Sequence, residues 1–168
     1  TPAATVEAVR APAWMEHQGA WAPLRPGREL EAGDRIRTGP GGRVMLLLAE
    51  GSELRVGAEA GFVLVKLNPP TESDGAFSGL LKIVRGAFRF TTTHRSQAHR
   101  RRLDIQIASV NAGISGTDVW GKAAEDRDIV CLIEGRVTVT HESDQPVTLD
   151  QPLSFFVAPR QASPQPVT

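Results

Sequence analysis

Ser115, in Gly113-Ile-Ser-Gly-Thr117, is the side chain closest to a nucleophile's setting. A serine hydrolase presents its nucleophile on a G-x-S-x-G elbow between a strand and a helix, beside a histidine base that here would have to be His99 or His141. Thr117 stands in place of the final glycine, and the flanks IQIASVNA and DVWGKA both read as strand. The segment therefore reads as a tight turn whose small residues let backbone pass close to backbone. Metal chemistry needs ligands at i, i+2 or i, i+4 spacing with others nearby. His17, His94, His99 and His141 are scattered; only His94 and His99 lie close together, and both read as decorating an exposed loop. Glu125, Asp126 and Asp128 crowd around Arg127 in the pattern of a solvated hairpin tip, not of an acid–base pair. Cys131 has no second cysteine to pair with, and its IVCLI setting suits a small buried hydrophobe. No catalytic residue, metal site or cofactor follows from these side chains.

Binding chemistry has better material. Arg95, Arg100, Arg101 and Arg102, with His94 and His99, form a basic knob in a gap between two strands. Guanidinium forks suit carboxylate and phosphate, so an acidic protein surface, a lipid headgroup or a phosphorylated glycan would match it. No aromatic residue interleaves with these arginines, which removes the stacking platform used by single-stranded nucleic acids. Nineteen basic and nineteen acidic residues cancel, so no net field draws the chain to DNA, RNA or an anionic membrane. Trp14 and Trp21, flanked by Pro12 and Pro23, are read first as core or edge-covering residues and second as a sugar-stacking or partner-binding platform.

The elements that must position these residues are strands. The 168 residues are 40% hydrophobic and 23% charged, as in one ordinary globular domain. Sixteen glycines and twelve prolines spread through the chain leave no room for long helices. Apolar residues alternate at Leu103, Ile105 and Ile107 and at Val137 and Val139, a period of two that puts one dry and one wet face on a sheet. Val44 to Ala49 and Ile129 to Ile133 are unbroken apolar runs and read as buried strands. Roughly ten to twelve short strands are expected, arranged as a β-roll, a sandwich or a short β-solenoid. A loose echo, apolar-apolar-x-Gly, recurs at uneven intervals without a fixed repeat. No apolar run approaches the roughly 20 residues of a membrane-spanning helix. Thr at position 1 suggests a cleaved leader or a piece of a longer polypeptide.

Between the strands sit paired turn parts: Gly33 with Asp34, Gly51 with Ser52, and Gly116 with Thr117. In each, glycine frees the backbone for a reversal, and the short oxygen-bearing side chain accepts from nearby N–H groups. This is turn chemistry, not reaction chemistry.

Leu30 to Gly39 (LEAGDRIRTG) followed by Gly42 to Gly57 (GRVMLLLAEGSELRVG) closely resembles the opening of the FecR domain. Leu80 to Phe90, Ile105 to Val119 and Ile129 to Val139 resemble its later blocks in the same order, so the likeness covers roughly residues 24–157. Ser115 replaces the arginine usual in the G-V-R-G-T block, Ala108-Ser109 replaces T-P, and Val119-Trp120 stands where the family has one aromatic. The resemblance implies an all-β, non-enzymatic domain of the Gram-negative periplasm that binds a protein partner or an envelope component in signal transduction or scaffolding. Peptidoglycan or another glycan is the alternative ligand. In the regulators of that family, an anti-sigma segment and one transmembrane helix precede this domain, and a receptor-docking subdomain follows it. On this reading residues 1–23 are an N-terminal edge segment packed on the domain, 24–157 the domain itself and 158–168 a flexible tail or linker.

Overall fold

The computed structural model describes residues 4–68, 76–92, 100–114, 117–142 and 144–159. Those residues form sixteen strands, and no helix among them is long and apolar enough to cross a membrane. The first eight are β1 (Ala4–Arg10), β2 (Ala13–His17), β3 (Ala20–Pro23), β4 (Glu29–Leu30), β5 (Arg35–Thr38), β6 (Arg43–Leu48), β7 (Glu53–Val56) and β8 (Gly61–Asn68). Then come β9 (Ala76–Thr91), β10 (Arg100–Ile107), β11 (Val110–Ile114), β12 (Asp118–Ala123), β13 (Arg127–Glu134), β14 (Val137–His141), β15 (Val147–Leu149) and β16 (Phe155–Pro159). The all-β expectation holds, but the strands outnumber the ten to twelve expected. The excess includes β3, β4 and β15, which are 4, 2 and 3 residues long and too short to carry a readable period.

The strands lie in two sheets. Sheet A runs β4-β1-β6-β7-β9-β12-β13-β16, antiparallel throughout. Sheet B runs β15-β14-β11-β10-β9-β8-β5-β2-β3, antiparallel except for the parallel pair β9 and β10. One strand belongs to both. β9 pairs with β8 and β10 in sheet B up to Arg85, and with β7 and β12 in sheet A from Gly86 onward. At the changeover Gly86 has φ +90, and a Cβ there would lie 2.5 Å from Ala60 Cβ and 2.7 Å from its Cα. Only glycine permits both that backbone angle and that approach, so the corner between the sheets depends on one missing side chain.

Two long hairpins fold over the same corner. In β5 to β8 the limbs pair as β5/β8 in sheet B and as β6/β7 in sheet A. In β11 to β14 they pair as β11/β14 in sheet B and as β12/β13 in sheet A. Each bend carries a buried threonine. Thr38 Oγ1 donates to Gly57 O at 2.7 Å and accepts from Ala60 N at 2.9 Å, while Thr117 Oγ1 donates to Arg136 O at 2.6 Å. Where a hairpin leaves one sheet for the other its ladder bonds are interrupted, and a hydroxyl that reaches the opposite limb satisfies the freed backbone groups. The inward faces enclose one core in which Phe62, Leu64, Leu81, Ile83, Phe88, Phe90 and Leu103 are fully buried.

Candidate functional site

The outward face of sheet B gathers aromatic and cationic side chains from four strands. β2 and β3 join through Gln18 and Gly19, both with positive φ (51° and 84°), as a two-residue hairpin turn requires. Ala13 and Met15 point into the core, so by alternation Trp14 points out, and the hairpin register sets Trp14 opposite Pro23 and Glu16 opposite Trp21. On β5 the buried Ile36 turns Arg35 and Arg37 outward. Pairing then builds two rows across the sheet: Trp14, Arg37, Gly61 and Arg85 in one, and Trp21, Glu16, Arg35 and Val63 in the next.

Gly61, with no side chain, leaves the floor open between Arg37 and Arg85. Two adjoining hollows of about 300 and 490 Å³ share Trp21, Arg37 and Arg85 as walls. Trp14 is 38% exposed and Trp21 47%, unusually bare for aromatics of this size. Neither is a core residue; both lie on the hairpin that ends sheet B at β3. Arg85 Nε donates to Glu59 O at 2.9 Å. The guanidiniums of Arg35 and Arg37 have no hydrogen-bonding or ionic partner among the described residues, although Glu16 is the cross-strand neighbour of Arg35. The hollows thus combine flat apolar rings with guanidinium donors, of which only Arg85 Nε is engaged among the described residues.

Other residues singled out from the sequence are placed elsewhere. Arg100, Arg101 and Arg102 are not loop residues: they open β10, paired with Ala76, Phe77 and Ser78, because a parallel neighbour draws this apolar-free segment into the sheet. Arg102 is exposed and lines neither hollow. Arg95, His94, His99, Ser115 and Gly116 lie outside the described residues. Glu125 and Asp126 are exposed at the β12–β13 tip, whereas Asp128 is buried at an inward position of β13 and accepts from Ser109 Oγ at 3.4 Å. Gly33 has φ +93, and the buried Asp34 accepts from Glu31 N at 2.8 Å and lies 2.6 Å from His17 Nδ1, tying the turn to β2. Gly51 has φ +101; Ser52 N donates to Glu50 Oε1 at 2.9 Å, so the acceptor in that turn is the glutamate, while Ser52 Oγ has no partner among the described residues. His141 Nδ1 is 3.3 Å from Asp144 Oδ2. Burial pushes the Cys131 thiol pKa up. Among the described residues no three His, Cys, Asp or Glu side chains converge as a metal site would require.

Arg35, Arg37 and Arg85 were not singled out from sequence. The Arg-Ile-Arg alternation at 35–37 is the signal for the first two, because a buried residue between two charged ones on a strand aims both charges at one face; Arg85, beside the Gly86 corner, has no such signal.

The sequence model of the FecR protein family matches residues 34–138. The chain belongs to the FecR family. The matched stretch begins at the Asp34 turn and runs through both folded hairpins, so the family signature follows the sheet-to-sheet corners. It takes in Arg35, Arg37 and Arg85 but not Trp14 or Trp21, which reach the FecR domain from the N-terminal hairpin. Two crystal structures of a candidate anti-sigma factor from Parabacteroides distasonis ATCC 8503, at 1.65 and 2.50 Å resolution, share the fold. Each has a TM-score of 0.59 at 14% identity over 77% of this chain. The FecR chain described here spans 56% of that protein's length. No curated protein matches it.

Proposed function

We propose that this FecR-family chain is a non-enzymatic signal-transduction module of the periplasm that docks a protein partner on the outward face of sheet B. Family membership and a fold shared with a candidate anti-sigma factor support a regulatory role. The observation that carries the docking reading is the convergence of exposed Trp14 and Trp21 with the unpaired Arg35 and Arg37. Tryptophan and arginine are enriched at the centres of protein interfaces, because Trp supplies large, rigid contact area at little entropic cost and Arg adds directed hydrogen bonds. A photo-crosslinking amino acid at position 21, in the full-length protein in its own host, should trap a discrete protein adduct. The same group at Val147, exposed at the opposite edge of sheet B, should not. Adducts at 147 with none at 21 would defeat the proposal.

A further inference from the structure

We infer that the groove lined by Trp14, Trp21, Arg35, Arg37 and Arg85 takes an acidic, partly apolar peptide segment of a partner protein. The inference rests on the docking role proposed above and names the chemistry of what docks. Charge comes first: the two hollows are walled by three guanidiniums against a single lining carboxylate, that of Glu59, and with Glu16 beside Arg35 on the same face the cations still outnumber the carboxylates. Arg35 and Arg37 make no ion pair within the described chain, so an incoming carboxylate displaces only water and gains charge-assisted hydrogen bonds.

Donor–acceptor balance comes second, and it separates peptide from sugar. Glycan hydroxyls each donate and accept, so a glycan site needs side-chain acceptors as well as donors. Here the walls offer indole and guanidinium N–H groups, which only donate. Besides Glu59 the one acceptor side chain is Thr38, and its hydroxyl is already engaged with Gly57 O and Ala60 N. The remaining lining, including Val63, Val84 and Pro40, is apolar. Donors set among apolar surfaces match carboxylates interleaved with aliphatic or aromatic side chains.

Size comes third. From β3 across β2, β5 and β8 to β9 the groove crosses four strand spacings of about 4.8 Å, roughly 19 Å, which an extended peptide covers in about six residues.

The test uses the full chain and three synthetic probes: an acetylated hexapeptide alternating glutamate and leucine, its glutamine–leucine counterpart, and chitotetraose. Indole N–H resonances report where each binds, because Trp120 lies in sheet A and serves as an internal control. The glutamate peptide should shift the Trp14 and Trp21 signals and leave Trp120 in place, with binding that weakens as salt rises. The glutamine peptide, and the glutamate peptide on Arg35→Gln/Arg37→Gln, should each bind about tenfold more weakly or worse. Both arginines are exposed and unpaired, so the variant should melt as the parent does. A charge-reversed Arg35→Glu/Arg37→Glu protein should prefer a lysine–leucine hexapeptide. Equal binding of the glutamate and glutamine peptides, no shift at Trp14 and Trp21, or shifts there with chitotetraose alone would overturn the inference. If the peptide fails while position 21 still crosslinks to a protein, the acidic-segment inference falls alone; if the crosslink is also absent, the docking role falls with it.

Discussion

Both sheets of this FecR domain carry arginines on their outer faces, and Arg89 on sheet A and Arg37 on sheet B show how differently two such arginines can be surrounded. On sheet A, Arg89 meets Asp118 across the β9/β12 pair in a two-pronged ion pair (3.0 and 2.7 Å), which raises its pKa through the hydrogen bond and the carboxylate charge. Arg55 lies 3.3 Å from Glu53 on the same face. On sheet B the neighbours of Arg37 are Trp14 and Gly61, and neither offers a carboxylate. A paired guanidinium has its charge answered inside the protein, whereas an unpaired one beside bare aromatic rings keeps its donors for another molecule. What distinguishes Arg89 from Arg37 is therefore the carboxylate that cross-strand packing does or does not bring within reach, not the arginine itself.

The contrast can be broken most severely at the strand both faces share. Gly86→Val should cost about 3 kcal/mol or more, since it adds overpacking against Ala60 to a left-handed backbone angle; a urea titration should show a large drop in midpoint. The threonine corners should rank next. Thr38→Val leaves both Gly57 O and Ala60 N without their partner, and Thr117→Val leaves only Arg136 O. We expect losses of about 1–3 kcal/mol, larger at 38, measured by the same titration.

Asp118→Asn sharpens the contrast instead. Arg89 is half-exposed, so screening limits the stability loss to about 1 kcal/mol or less. The released Arg89 should make sheet A resemble sheet B, and the glutamate–leucine peptide should then also shift the Trp120 indole. The smallest effect concerns Cys131, whose register partners on either side are Trp120 and Phe155. Its thiol pKa is raised by burial above the ordinary 9.0, so the unfolded chain loses that proton first and stability falls as pH climbs past about 9. In Cys131→Ala that alkaline decline should be shallower, as thermal melts at pH 8 and 10 would reveal.

Much of the architecture was legible because its causes are local. Glycine–aspartate at 33–34 closes its turn locally, though Asp34 accepts from Glu31 N three residues back and not from a residue further on as in an Asx turn, and Leu103, Ile105 and Ile107 alternate inward in β10, as their spacing indicates. The arginine run at 100–102 was misread as loop because it carries no apolar alternation; only its pairing with Ala76 to Ser78 makes it strand. Asp128 looked solvated because its flanks Asp126 and Arg127 are charged, but its position on β13 faces inward. The kinship of β5–β8 and β11–β14 stayed hidden, because hairpins with matching pairings and unequal connections produce no fixed sequence period.

Sequence alone determined that this protein is all-β, that it turns at glycine-centred corners and that it belongs with the FecR proteins. Each of those properties is written in side chains within a few positions of one another. Tertiary structure alone decided which outward side chains become neighbours. Trp14 and Arg37, or Arg89 and Asp118, meet through cross-strand register, and register is settled by the packing of a shared core rather than by any local run of residues.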